Sequence, residues 1–94
     1  MNILIVDDHP INRQLLGAQL AAKGDKPFEA ADGVEALTLP EREKIDAVIS
    51  DILMPRMDGY RLCYELRRRE RLKLLPFIIY TATYTAPSWR PCGG

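Results

Sequence analysis

Ala47-Val48-Ile49-Ser50-Asp51-Ile52-Leu53-Met54-Pro55-Arg56-Met57-Asp58-Gly59 is the stretch that decides how this 94-residue chain is read. Its short apolar opening reads as a strand ending on Asp51. In the loop beyond, Pro55 fixes its own φ and restricts Met54 to extended geometry. Gly59 permits a tight entry into a helix over residues 59–72, with Cys63 and Leu66 inward alongside Tyr60 and Leu62.

The same order of strand, loop and helix repeats on both sides. Ile3-Leu4-Ile5-Val6 is continuously apolar, as a strand covered on both faces should be, and Asp7-Asp8 stops it. Pro10 suits a first helical turn. A stripe of Ile11, Leu15, Leu16, Ala18 and Leu20 then predicts a helix over 10–23 that Gly24 ends. Phe28 to Ala31 is a weaker strand, and Pro27 before it suggests an edge. Asp32-Gly33 turns the chain into a helix from Val34, which Pro40 interrupts or kinks. Leu75 to Tyr80 is a fourth strand entered through Pro76. The pattern βαβαβαβ predicts an α/β fold with an open, doubly wound, mostly parallel sheet, helices lying on both faces.

Composition narrows the function classes. Hydrophobic residues make up 47% of the chain and charged ones 28%, a globular balance with room for a single small domain. Thirteen basic and thirteen acidic residues cancel, so bulk charge does not favour nucleic acid. The run from Arg61 through Arg67, Arg68, Arg69, Arg71 and Lys73 reads as a solvated helix face or as a docking surface. No stretch nears the roughly 20 apolar residues a membrane span needs. The start of the chain lacks a basic leader, and Cys63 and Cys92 have neither metal spacing nor a disulfide framework. A cytoplasmic location with free thiols is the expectation.

In open α/β sheets, ligands gather beyond the carboxyl ends of the strands. Asp7 and Asp8 follow the first strand, Asp51 ends the third, and Thr81 follows the fourth. Clustered carboxylates repel one another and are relieved by a hard divalent cation, for which Mg2+ fits the oxygen donors. A carboxylate beside such a cation can attack phosphorus in line, with the Thr81 hydroxyl and the Ala82 N–H holding a phosphoryl oxygen. Ordinary solvation of acidic strand ends is the competing account of these residues.

Three segments carry a resemblance: Ile3-Leu4-Ile5-Val6-Asp7-Asp8, Asp51-Ile52-Leu53-Met54-Pro55-Arg56-Met57-Asp58-Gly59, and Ile78-Ile79-Tyr80-Thr81-Ala82. Their strings and spacing are similar to those of the response-regulator receiver domain, with its flavodoxin-like fold, over residues 2–87. The resemblance implies that Asp51 is phosphorylated by a histidine kinase, a histidine phosphotransfer protein or a small phosphodonor. It implies Mg2+ ligation by Asp7, Asp8, Asp51 and the Leu53 carbonyl, and a switch at Thr81 and Ala82. Such a domain is a signalling module rather than an enzyme. His9, beside the acidic pair, is expected as a solvent-exposed or hydrogen-bonding residue.

The family pattern breaks late in the chain. Receivers continue with a fourth helix, a fifth strand ending in lysine and a fifth helix, yet no lysine follows Lys73 and Trp89-Arg90-Pro91-Cys92-Gly93-Gly94 resembles none of these. A C-terminally truncated receiver over residues 1–88, with an atypical tail at 89–94 read as loop, is therefore expected. Its fourth strand would then be an uncovered edge, and copies are expected to self-associate to a homo-oligomer through that edge or by packing of uncovered sheet faces. Beside the phosphorelay receiver stands a second reading, a self-associating fragment that cannot complete the switch. A dehalogenase-like phosphatase would want an aspartate where Leu53 stands, and no Gly-x-Gly-x-x-Gly supports a dinucleotide site.

Overall fold

The computed structural model describes residues 1–52, 54 and 57–80, together with the backbone of 90–91. Strands β1 (Asn2–Val6), β2 (Lys26–Ala30), β3 (Ala47–Asp51) and β4 (Phe77–Tyr80) run parallel in the order β2-β1-β3-β4. Helices α1 (Pro10–Ala22), α2 (Gly33–Arg42) and α3 (Gly59–Arg67) make the crossovers. From β1 the chain moves outward to β2, then returns past β1 to β3. The order therefore reverses between β1 and β3, which opens a crevice at their carboxyl ends. This is the α/β, doubly wound, flavodoxin-like arrangement expected from the sequence.

The apolar run of β1 serves both faces. Leu4 and Val6 join a buried cluster with Ala36 of α2, Leu62, Cys63 and Leu66 of α3, and Val48, Phe77 and Ile79 of the neighbouring strands. Ile5, pointing the other way, meets α1 near Gly17. Both faces are covered, so alternation is suppressed in the sequence.

Helix α1 departs from the expected stripe. Ile11 is 70% and Leu15 60% exposed, and the buried residue of the helix is Gly17. A methyl group at Gly17 would lie 3.7 Å from the Pro27 side chain and 3.9 Å from Ile5. The helix thus comes down on the sheet through its smallest residue, and that contact turns Ile11 and Leu15 outward. At its end Lys23 caps the helix, and Gly24 takes φ of 92°, the left-handed turn that favours glycine.

Helix α2 continues past Pro40 to Arg42, where an interruption was expected. Pro40 removes one intrahelical donor close to the helix end, and the Glu43 N–H still bonds the Leu39 carbonyl at 2.8 Å. The start of α2 is fixed by Asp32, whose carboxylate accepts the Glu35 N–H at 2.8 Å, while Glu35 reaches back to the Ala31 N–H at 3.3 Å. Asp32→Ala is expected to cost about 1 kcal/mol, the usual worth of such a cap. A lowered urea midpoint with an unchanged slope is the check.

Helix α3 ends at Arg67, earlier than expected, and Tyr60 is exposed rather than inward. The basic run beyond it is bound within the fold. Arg67 donates to the Leu75 carbonyl at 2.6 Å, Arg69 to the Leu37 carbonyl at 3.3 Å, and Arg71 to the Pro40 carbonyl at 3.4 Å. Arg69 also pairs with Glu41. These guanidinium groups tie the end of α3 to the segment before β4 and to α2.

Two further expectations are corrected. The outer edge of β4 is paired, because β5 (Arg90–Pro91) runs antiparallel beside Ile78 and Ile79. The tail was read as loop because proline and glycine dominate it, yet two residues suffice to occupy an edge. Cys63 is fully buried and disulfide-bonded rather than a free thiol, and its partner lies outside the described residues. The boundary expected at residue 88 also lies outside them.

Candidate functional site

Strand geometry brings the acidic residues together. Ile5 of β1 is in register with Ile49 of β3, Ile49 with Ile78 of β4, and Asp51 with Tyr80. Side chains on one strand alternate faces, and partners in register share a face. Ile49, Asp51, Ile78 and Tyr80 therefore lie on the α1 face, and Asp7 follows Ile5 there. The crevice at the β1/β3 reversal receives Asp7, Asp8, His9 and Asp51, whose ligand atoms all lie within 4.8 Å of one another.

Asp7 is fully buried and Asp51 is 3% exposed. Burial of a carboxylate demands donors. Asp7 Oδ1 accepts the His9 backbone N–H at 2.8 Å, and the His9 imidazole Nδ1 lies 3.3 Å away. Asp7 Oδ2 accepts the Tyr80 hydroxyl. The Asp7 carbonyl is held by Arg13 at 2.6 Å, and Arg13 is itself anchored to Glu29 at 3.2 Å. Asp8 Oδ1 is buried and has no hydrogen-bond partner among the described residues; His9 Nδ1 lies 3.1 Å from it without forming a hydrogen bond. An under-satisfied carboxylate oxygen among two further carboxylates fits a hard cation better than it fits solvent.

Burial pushes the Tyr80 phenol well above the ordinary tyrosine range; its hydrogen bond to Asp7 and the charges of Asp7, Asp51 and Asp8 act in the same direction. The phenol therefore stays protonated at neutral pH and acts as a donor.

The loop after Asp51 is drawn tight by α3. The Gly59 N–H donates to the Ile52 carbonyl at 2.9 Å, and Ile52 in turn donates to the Tyr80 carbonyl at 2.9 Å. A Cβ at Gly59 would fall 2.6 Å from the Asp51 carbonyl oxygen, so only glycine lets the helix start this close to the site. Asp58 caps the helix by accepting the Arg61 N–H at 2.8 Å.

Of the expected site residues, Asp7, Asp8 and Asp51 meet in one cluster. Leu53, Thr81 and Ala82 lie outside the described residues. His9 is exposed and hydrogen-bonded, as expected, with its backbone N–H and its ring both on Asp7. No role for Tyr80 follows from its neighbours in the sequence. Strand parity was the signal that could have found it, because a tyrosine in register with Asp51 points to the crevice side.

A family model, the response regulator receiver domain, matches residues 3–90. The chain belongs to the receiver family. Receiver domains of this family are not enzymes in the conventional sense, and the chain is a phosphorelay receiver domain with an acidic cluster at its strand ends. It is 48% identical over 92 residues to the sensor histidine kinase RcsC of Escherichia coli, covering 98% of this chain and 10% of that protein. It spans about a tenth of the length of these relatives. The chemotaxis protein CheY4 of Vibrio cholerae superposes with a TM-score of 0.83 at 35% identity, over 92% of this chain and 71% of that one. The receiver domain of the sensor histidine kinase PA1611 of Pseudomonas aeruginosa, with a magnesium ion coordinated in its active site cleft, superposes at 0.80 and 35% identity. That match covers 87% of this chain and 67% of the other.

Proposed function

We propose that the receiver takes a phosphoryl group onto Asp51, with Mg2+ held by Asp7, Asp8, Asp51 and the Leu53 carbonyl, and with Thr81 and Ala82 receiving the phosphoryl oxygens. The observation that carries this reading is the convergence of Asp7, Asp8 and Asp51 within 4.8 Å, with Asp8 Oδ1 left without a hydrogen-bond donor. An Asp51 carboxylate oxygen attacks phosphorus, and the new O–P bond forms as the donor's N–P or O–P bond breaks. The electron pair leaves on the donor's imidazole or carboxylate. Asp7 and Asp8 would hold the cation, which when bound would supply charge to neutralise the phosphoryl oxygens. The Arg13 contact and the His9 N–H keep Asp7 in place.

The donor chemistry is a phosphohistidine on a kinase or phosphotransfer protein, a class supported by the likeness to a segment of RcsC. No described helix is long and apolar enough to cross a membrane. A cytoplasmic site of action matches that donor class. The direct test is intact-mass measurement after incubation with acetyl phosphate, with and without Mg2+. One added phosphoryl group that needs Mg2+ supports the reading; no uptake by a folded chain overturns it.

A second property is favoured by a specific observation. Ile11 at 70%, Leu15 at 60% and Ile78 at 39% exposure leave apolar surface open on the α1 side of the sheet. Self-association through that face is expected, since exposed apolar side chains grouped on one side of a sheet favour contact with a second copy. Light scattering across a concentration series should show a rising mass, and a constant monomer mass would refute it.

A further inference from the structure

This inference rests on the reading of Asp7, Asp8 and Asp51 as a cation site. We propose that the Tyr80 hydroxyl is an internal stand-in for the cation, holding Asp7 Oδ2 in the cation-free chain and leaving it when the cation binds.

Reach is the first argument. Tyr80 stands on β4, and β3 separates it from β1. Two strand spacings, roughly 9.6 Å, are closed by the Tyr80 side chain, the Asp7 carboxylate and the hydrogen bond between them. Tyr80 is in register with Asp51 on the crevice side, and its hydroxyl bonds Asp7. Few side chains combine that length with an uncharged donor at the tip.

The second argument is electrostatic. Asp7 is fully buried, and a buried anionic oxygen without a donor is costly. Oδ1 is served by the His9 N–H, whereas the donor to Oδ2 is the phenol. The hydroxyl bonds a carboxylate of the cluster in which the ligand atoms of Asp7, Asp8 and Asp51 lie within 4.8 Å of one another. A hydroxyl hydrogen and a divalent cation are both positive and seek the same oxygens, so they compete there. The hydroxyl offers only a dipole and yields to a full charge.

The third argument is room. The residue lines an open cleft with Asn12, Leu15, Leu16 and Gln19 of α1, so the ring has space to move outward.

The experiment is Mg2+ titration of the full chain by calorimetry, wild type against Tyr80→Phe. Phenylalanine keeps the ring and removes the competing donor. Binding about tenfold tighter in the variant is expected, since a hydrogen bond to a charged group is worth at least about 1.4 kcal/mol. Equal or weaker binding by the variant, with normal binding by wild type, overturns the stand-in and leaves the cation site intact. Absence of Mg2+ binding in both chains overturns the site and the stand-in together. Should the variant fail to fold, wild-type protein carrying 13C-labelled tyrosine decides the matter. The Tyr80 Cζ resonance must move on Mg2+ addition, and a resonance unmoved at saturation refutes the displacement.

Discussion

An Asp51→Asn variant is expected to take up no phosphate from acetyl phosphate, while the wild-type chain is expected to gain one phosphoryl group in the presence of Mg2+. The amide is nearly the same size as the carboxylate, so β3 and its neighbours keep their register. What changes is the nucleophile: the amide oxygen carries no full negative charge, and the nitrogen lone pair is delocalised into the carbonyl. Neither attacks phosphorus at a useful rate. The substitution also removes one of three carboxylates gathered within 4.8 Å. The cation site loses charge and a ligand, and Mg2+ affinity is expected to fall by about tenfold or more, in line with the dependence of such sites on ligand charge. Mass spectrometry reads the first effect and calorimetry the second. Phosphate still appearing on a folded Asp51→Asn chain would place the acceptor elsewhere.

Much of the fold was legible because its signals are local and redundant. Ile3 to Val6 is apolar without alternation because α1 covers one side and α2 with α3 the other, so burial on two faces is written directly into the residues. The acidic pair after β1 and the aspartate ending β3 were legible for a related reason: strand ends in a doubly wound sheet project to one side, and the order of elements alone brings them together. Other features depend on contacts between distant residues. The stripe on α1 suggested that Ile11 and Leu15 face inward, but the close approach of Gly17 to Pro27 sets the rotation of the helix. Pro40 reads as a break because its cost is local, whereas its packing in the buried end of α2 is tertiary. The arginines after α3 read as a solvated face or as a docking surface, since nothing in a sequence says which carbonyls a long side chain will find. Tyr80 meets Asp7 across 73 positions, and the pairing emerges only once strand order and register are both known.

Gly59→Ala is expected to be the most damaging single-methyl substitution in the described chain, and the neighbouring glycines supply its controls. At Gly59 the added Cβ would lie 2.6 Å from the Asp51 carbonyl oxygen and 3.2 Å from Ile52 Cα, so backbone on both sides of the contact must move. At Gly33 the nearest atoms, at 2.7–2.9 Å, belong to the Met57 side chain; Sδ and Cγ can turn away, whereas Cβ requires a small shift of the Met57 backbone. At Gly17 the contact with Pro27 is an ordinary 3.7 Å, and alanine gains helix propensity there. The expected order of stability is therefore Gly17→Ala near or above wild type, Gly33→Ala modestly below, and Gly59→Ala lower by about 3 kcal/mol, the upper end for overpacking. Against a typical total of about 5–15 kcal/mol, that loss is a large share of the folding free energy. The damage also reaches the site. Relief of the clash lifts the start of α3 away from β3 and carries the Asp51 peptide with it, so Mg2+ binding should weaken in Gly59→Ala and stay normal in Gly17→Ala. Urea unfolding of the three variants, paired with Mg2+ calorimetry, measures both effects. A Gly59→Ala chain as stable as wild type with unchanged cation affinity would mean that α3 does not depend on this close approach to hold Asp51 in place.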